Sequence, residues 1–99
     1  MIINKKKENG SAILRPEGRL DTVTATELEG AVTDLLPELT ELTFDFEKLT
    51  YISSAGLRVI LSAQKKMDAA SGKMKLINVS EAVMDILEVT GFTDILTIE

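Results

Sequence analysis

Cysteine and histidine are both missing from this 99-residue chain. Without cysteine no disulfide can staple the fold, and no thiolate is available as a metal ligand or nucleophile. Without either residue, the Ser-His-Asp and Cys-His arrangements of nucleophilic catalysis cannot be assembled within the chain. Transition-metal sites rarely dispense with both ligand types, and the acidic residues show no calcium-loop pattern of alternating carboxylates around a glycine. A phosphate-cradling loop is absent as well: Gly72-Lys73 lacks both the upstream glycine and the following hydroxyl residue. The expectation is a non-enzyme with no cofactor and no metal.

Long apolar runs are equally scarce. The best candidate, Ala55 to Ala70, is interrupted by Arg58, Gln64, Lys65 and Lys66, well short of the about 18 apolar residues that cross a bilayer. Met1 to Asn4 runs straight into Lys5-Lys6-Lys7, without the apolar core of a signal peptide. No membrane insertion and a cytoplasmic location are expected. The formal net charge of −5 argues against nucleic acid, whose binding depends on clustered Lys and Arg. A protein partner is expected instead, and the lysine run reads as protection of an edge strand.

What is present is a globular balance, 44% hydrophobic and 27% charged, in a length that fits one domain over residues 1–99. No repeat, low-complexity segment or linker divides it. Ile2 to Lys7 and Ala12 to Arg15 flank Asn9-Gly10, a hairpin signal, and Pro16 with Gly18 is expected to end the second strand. Thr24 and Glu27 have capping-box spacing, and Leu28, Val32, Leu35 and Leu36 then recur on one face, predicting a helix over Thr24 to Leu36 before Pro37. Glu41 to Glu47 alternates Leu42, Phe44 and Phe46 with polar residues, the signature of a half-buried strand. A second helix follows Ser53-Ser54, with Leu57, Ile60, Leu61 and Met67 in register, closed by Ser71-Gly72 with glycine in the left-handed position. Met74 to Val79 reads as a strand, Ser80 as the cap of a third helix ended by Gly91, and Ile95 to Ile98 as a last strand. The fold class is therefore α/β: an N-terminal β-hairpin, then alternating strands and helices, in a mixed, mainly parallel sheet covered by helices.

Two places invite chemistry. Asp45 and Glu47 share a strand face, but nothing nearby suggests tuning of either carboxylate, and they read as solvated strand residues. Ser53-Ser54-Ala55-Gly56 opens an apolar helix, where unpartnered backbone N–H groups and the positive end of the helix dipole favour a hydroxyl cap and equally suit a phosphate. On position alone the plain helix cap is the favoured role.

Gly18-Arg19-Leu20-Asp21, Asp45-Phe46-Glu47-Lys48-Leu49 and, most specifically, Tyr51-Ile52-Ser53-Ser54-Ala55-Gly56-Leu57 resemble the STAS domain family, and within it the single-domain anti-sigma factor antagonists. The resemblance covers nearly the whole chain. It implies a partner switch: the unphosphorylated protein binds an anti-sigma factor serine kinase and frees a sigma factor, phosphorylation by that kinase releases it, and a phosphoserine phosphatase resets it. Such proteins often read Asp-Ser-Ser-Gly-Leu or Asp-Ser-Thr-Gly-Leu, with the serine after the aspartate modified. The match places Ser54 there, with Ser53 as second candidate because it stands where the family has Asp; Ala55 replaces the second hydroxyl residue. The implied partner-binding residues are Asp21, Ser53, Ser54, Ala55, Gly56 and Arg58. The alternative is a non-switching STAS subunit of a transporter or a larger signalling assembly.

Overall fold

A computed structural model describes all residues, Met1 to Glu99. Asn9 and Gly10 both take positive φ, 47° and 85°, so the chain reverses at once and pairs β1 (Ile2–Glu8) antiparallel with β2 (Ser11–Leu20). β1 pairs with β2 alone and forms the sheet edge, where Lys5, Lys6 and Lys7 are exposed and Lys7 meets Glu38.

Beyond the hairpin follow α1 (Thr22–Leu35), β3 (Glu41–Asp45), β4 (Leu49–Ile52), α2 (Ser54–Ala69), β5 (Lys73–Ile77) and α3 (Glu81–Val89), so that an unexpected short strand, β4, interrupts the alternation. β3 lies parallel to β2 and β5 parallel to β3. β4 lies parallel to β2 at its far end, over Gly18 to Leu20. Ala12 and Leu14 of β2, Leu42 and Phe44 of β3, and Met74 and Leu76 of β5 are buried. They pack with Leu28 and Val32 of α1, Ile60 and Met67 of α2, and Val83 and Leu87 of α3 in one core. The other face of the same strands carries Ile13, Glu41, Thr43, Lys73 and Lys75, exposed or half-buried. The helices thus cover the sheet on one face and leave the other to solvent, the division that period-2 alternation dictates.

Several boundaries differ from expectation for identifiable reasons. β2 does not stop at Pro16 but continues to Leu20. Pro16 falls between the segment paired with β3 (Ser11 to Leu14) and the segment paired with β4 (Gly18 to Leu20), where that side of the ladder is already interrupted. A bulge between Gly18 and Arg19 then resets the register, with Gly18 at φ 99°. α1 starts at Thr22, upstream of the expected Thr24: Asp21 is the cap and Thr24 its reciprocal partner. α2 leaves through Ser71 at φ 58°, not through glycine. Gly72 is needed for space instead, because a Cβ there would lie 2.7 Å from Met67 Cε and 2.9 Å from the Thr40 carbonyl oxygen. The last expected strand shrinks to one parallel bridge, Leu76 with Ile98, after a 3-10 turn at Phe92–Asp94. Ser80 caps α3 and Gly91 takes φ 80°, both as the spacing implies.

The largest departure is Asp45, which is not solvated but only 3% exposed. Its carboxylate accepts hydrogen bonds from Arg15 Nη2 at 2.8 Å and Nε at 3.0 Å, from Asn78 Nδ2 at 3.0 Å and from the Glu47 amide at 3.1 Å. Burial alone would push this carboxyl up, but the bonds from Asn78, Glu47 and Arg15 together hold it below its ordinary value. A carboxyl depressed on folding stabilises the protein above its unfolded pKa, and that contribution disappears as pH falls from about 4 through the folded value. Asp45→Ala is expected to cost about 2 kcal/mol at neutral pH by stranding these donors, and to flatten the acid limb of stability. Urea titrations of both proteins across the acid range check this; parallel pH profiles for wild type and variant would count against it.

Candidate functional site

β2 and β4 run side by side and end together. Leu20 pairs with Ile52, and the Ser53 amide donates to the Leu20 carbonyl at 2.8 Å. One residue beyond each strand a helix begins, α1 capped by Asp21 and α2 capped by Ser53. Two helix N-termini therefore emerge next to each other, each with the positive end of its dipole outward.

Gly56 permits this approach. It is buried, and a Cβ on it would sit 2.7 Å from Leu20 Cγ and 2.9 Å from Ile52 Cγ1. The first turn of α2 thus rests directly on the ends of both strands. Gly56 belongs beneath the site rather than on its surface.

The two adjacent serines have different jobs. Ser53 is half-buried, and its Oγ accepts from the Gly56 amide at 3.3 Å, which makes it the helix cap. Ser54 is the first helical residue, exposed, with a hydroxyl that forms no hydrogen bond within the chain. Ala55 beside it is small and half-exposed, and Arg58 is exposed one turn later.

Asp21 Oδ1 accepts from the amides of Val23 and Thr24, each at 3.0 Å, and Thr24 Oγ1 in return accepts from the Asp21 amide at 2.8 Å. The Thr24 amide, with smaller help from its hydroxyl, from Val23 and from the Arg19 charge, holds the Asp21 carboxyl below its ordinary value, outweighing its partial burial. Asp21 is therefore ionised at neutral pH beside the α2 tip. Arg19 and Tyr51, opposite each other on β2 and β4, stack with the guanidinium 4.2 Å from the ring centroid. Both residues belong to the family-like motifs of the sequence, but their pairing depends on the register between β2 and β4, of which Gly18 and the short run Leu49 to Ile52 are the local signals.

The sequence residues brought together are thus Asp21, Ser53, Ser54, Ala55 and Arg58 at the surface, with Gly56 below. No helix is long and apolar enough to cross a membrane, and no group of three acidic side chains is placed to hold a metal ion.

The comparison with known proteins defines the class: residues 3–99 match the STAS domain, and the chain belongs to that family. Among individual relatives, BtrV of Bordetella bronchiseptica is 29% identical over 96 residues, covering 96% of this chain and 83% of the relative. The anti-sigma-B factor antagonist of Bacillus subtilis is 25% identical over 96 residues, covering 97% of this chain and 88% of that protein. In fold the chain is similar to the anti-sigma factor antagonist SpoIIAA in its unphosphorylated form, with TM-score 0.86 at 18% identity over 99% of this chain and 88% of the other. The phosphorylated form of Bacillus SpoIIAA superposes with TM-score 0.79 at 17% identity, covering 99% and 91% of the two chains.

If Ser53 is the cap and Ser54 a free hydroxyl, alanine should tell them apart. Ser53→Ala is expected to lower stability by about 1 kcal/mol, and Ser54→Ala by less than about 0.5 kcal/mol. Gly56→Ala should cost about 1–3 kcal/mol by overpacking. Gly30→Ala, at an exposed α1 position with nothing within 4 Å of the added methyl, should gain about 1 kcal/mol. Chemical denaturation of the four variants reads out all of these, and equal losses for the two serines would refute the division of labour.

Proposed function

We propose that this STAS domain is an anti-sigma factor antagonist, a non-enzymatic cytoplasmic regulator switched by phosphorylation of Ser54. In its unphosphorylated state it binds an anti-sigma factor serine kinase through Asp21, Ser53, Ser54, Ala55 and Arg58, with Gly56 holding that face in shape. The kinase modifies Ser54 and is released, and a phosphoserine phosphatase restores the hydroxyl.

The observation that carries this reading is the exposed, unbonded Ser54 hydroxyl at the first position of α2, immediately after a serine already committed to capping. A phosphoryl group there adds about −1.5 to −2 charges. The helix dipole and its free N–H groups favour that charge on the chain itself. A docked partner meets it differently: the small surface offered by Ala55 becomes bulky, and the ionised Asp21 alongside adds to the repulsion of any acidic group opposite. A hundredfold loss of affinity corresponds to about 2.7 kcal/mol, within reach of one charged group placed in an interface. The names of the Bacillus relatives, and the existence of SpoIIAA in both phosphorylation states, support the same reading.

Incubation with an anti-sigma type serine kinase and ATP, followed by intact mass measurement, tests it. Phosphate gain is expected in wild type and Ser53→Ala and not in Ser54→Ala, and the modified protein should bind the kinase about a hundredfold more weakly. Gain retained in Ser54→Ala would move the acceptor role to Ser53. No gain with any such kinase, together with stable co-purification with a transporter ATPase, would replace the switch by the subunit reading.

A further inference from the structure

The chain has three arginines, and two of them are occupied. Arg15 is bonded to Asp45, and Arg19 lies on Tyr51. Arg58 is exposed and enters none of the ion pairs and side-chain hydrogen bonds of the chain, so one guanidinium, in the first turns of α2, stands uncommitted. It follows Ser54 by four residues on the same helix, the spacing that puts two Cβ atoms about 5–6 Å apart on one face. Helical side chains lean toward the N-terminus, so a long side chain at this position covers the turn that Ser54 begins.

That turn is open to an anion in two further respects. It contains no acidic residue to compete for the arginine. The amides of Ser54 and Ala55 have no partner within the chain, since the cap engages Gly56 and the first intrahelical bond is Leu57 to Ser53. Arg58 also lines a groove of about 510 Å³ between α1 and α2, together with Thr22, Thr26, Glu29, Ala55 and Lys65.

We infer that Arg58 is the counter-charge for a phosphoryl group on Ser54, drawn onto it from the α1–α2 groove when the group is attached. The inference rests on Ser54 being the acceptor. The guanidinium fork suits two oxygens of the dianion, while the two free amides meet it from the helix end. Phosphorylation then alters the docking face in two places at once: the tip gains a charge, and the groove that Arg58 lines together with Glu29 loses a cation. Arg58 acts as a positioning residue, not as part of any catalysis.

The test uses the full chain with phosphoserine placed at position 54 during translation, which needs no kinase. A nearby cation favours the dianion, so Arg58 lowers the second phosphate pKa, and its removal raises it. Phosphorus NMR titration should show Arg58→Gln lowering the ionisation constant about 1.5- to twofold, Arg58→Lys lying between the two, and Lys65→Gln, far along the helix, leaving it unchanged. Superimposable curves for wild type and Arg58→Gln would overturn the inference, as would an equal shift on Lys65→Gln. That result would leave Ser54 as acceptor untouched, whereas absence of kinase-catalysed modification would remove the switch without affecting the titration.

Discussion

The absence of a side chain at residue 56 is the constraint on which the rest of the site depends. With a methyl there, the first turn of α2 could not lie against Leu20 and Ile52 at their present positions. Because it does, the bond from the Ser53 amide to the Leu20 carbonyl closes, β2 and β4 end level, and two helix starts are set side by side. Ser53 is then the residue at the cap, and Ser54 is left facing outward by geometry alone. The division of roles between two chemically identical neighbours is thus decided by a contact underneath them.

The same economy shows in how charges are placed. On the open face of the sheet, Asp45 is buried under four hydrogen bonds that tie β2, β3 and the turn after β5 together. At the other end, Asp21 spends one carboxylate oxygen on the first turn of α1. Both carboxyls are held ionised, one by structural bonds that close it off and the other at a surface where its second oxygen is still available. The first fixes the sheet, and the second gives the α2 tip a permanently acidic neighbour.

The sequence made the architecture legible because its hydrophobic periods change cleanly from two to 3.6 and its turn residues sit between them. Leu42, Phe44 and Phe46 were enough for β3, and Ser80 with Gly91 for α3. What was not legible were features that depend on non-local partners. Pro16 and Gly18 normally end a strand, and only the gap between two parallel neighbours lets β2 pass through them. Leu49 to Ile52 is too short to announce itself as a strand without β2 beside it. Asp45 looked solvated because its partners, Arg15 and Asn78, lie 30 and 33 residues away. At the site, the motif singled out Ser53 and Ser54 together, and only the hydrogen bond from Gly56 to Ser53 distinguishes the cap from the free hydroxyl. Arg58 was legible as a charge interrupting an apolar run and as a residue of the family-like site, but its place on the α1–α2 groove needed the fold.

β2 carries two neighbours in succession on one side, β3 along its first half and β4 along its second. Its far half has no reason to hold Leu20 and Asp21 in place until Leu49 to Ile52 has been made and docked, a closure spanning some thirty residues of chain. While it is being synthesised, the protein therefore possesses the residues of the Asp21 turn long before it possesses the neighbouring helix start that carries Ser54. An enzyme that reads both helix starts together reads a finished molecule, and an incompletely folded or truncated copy offers it a serine without the setting.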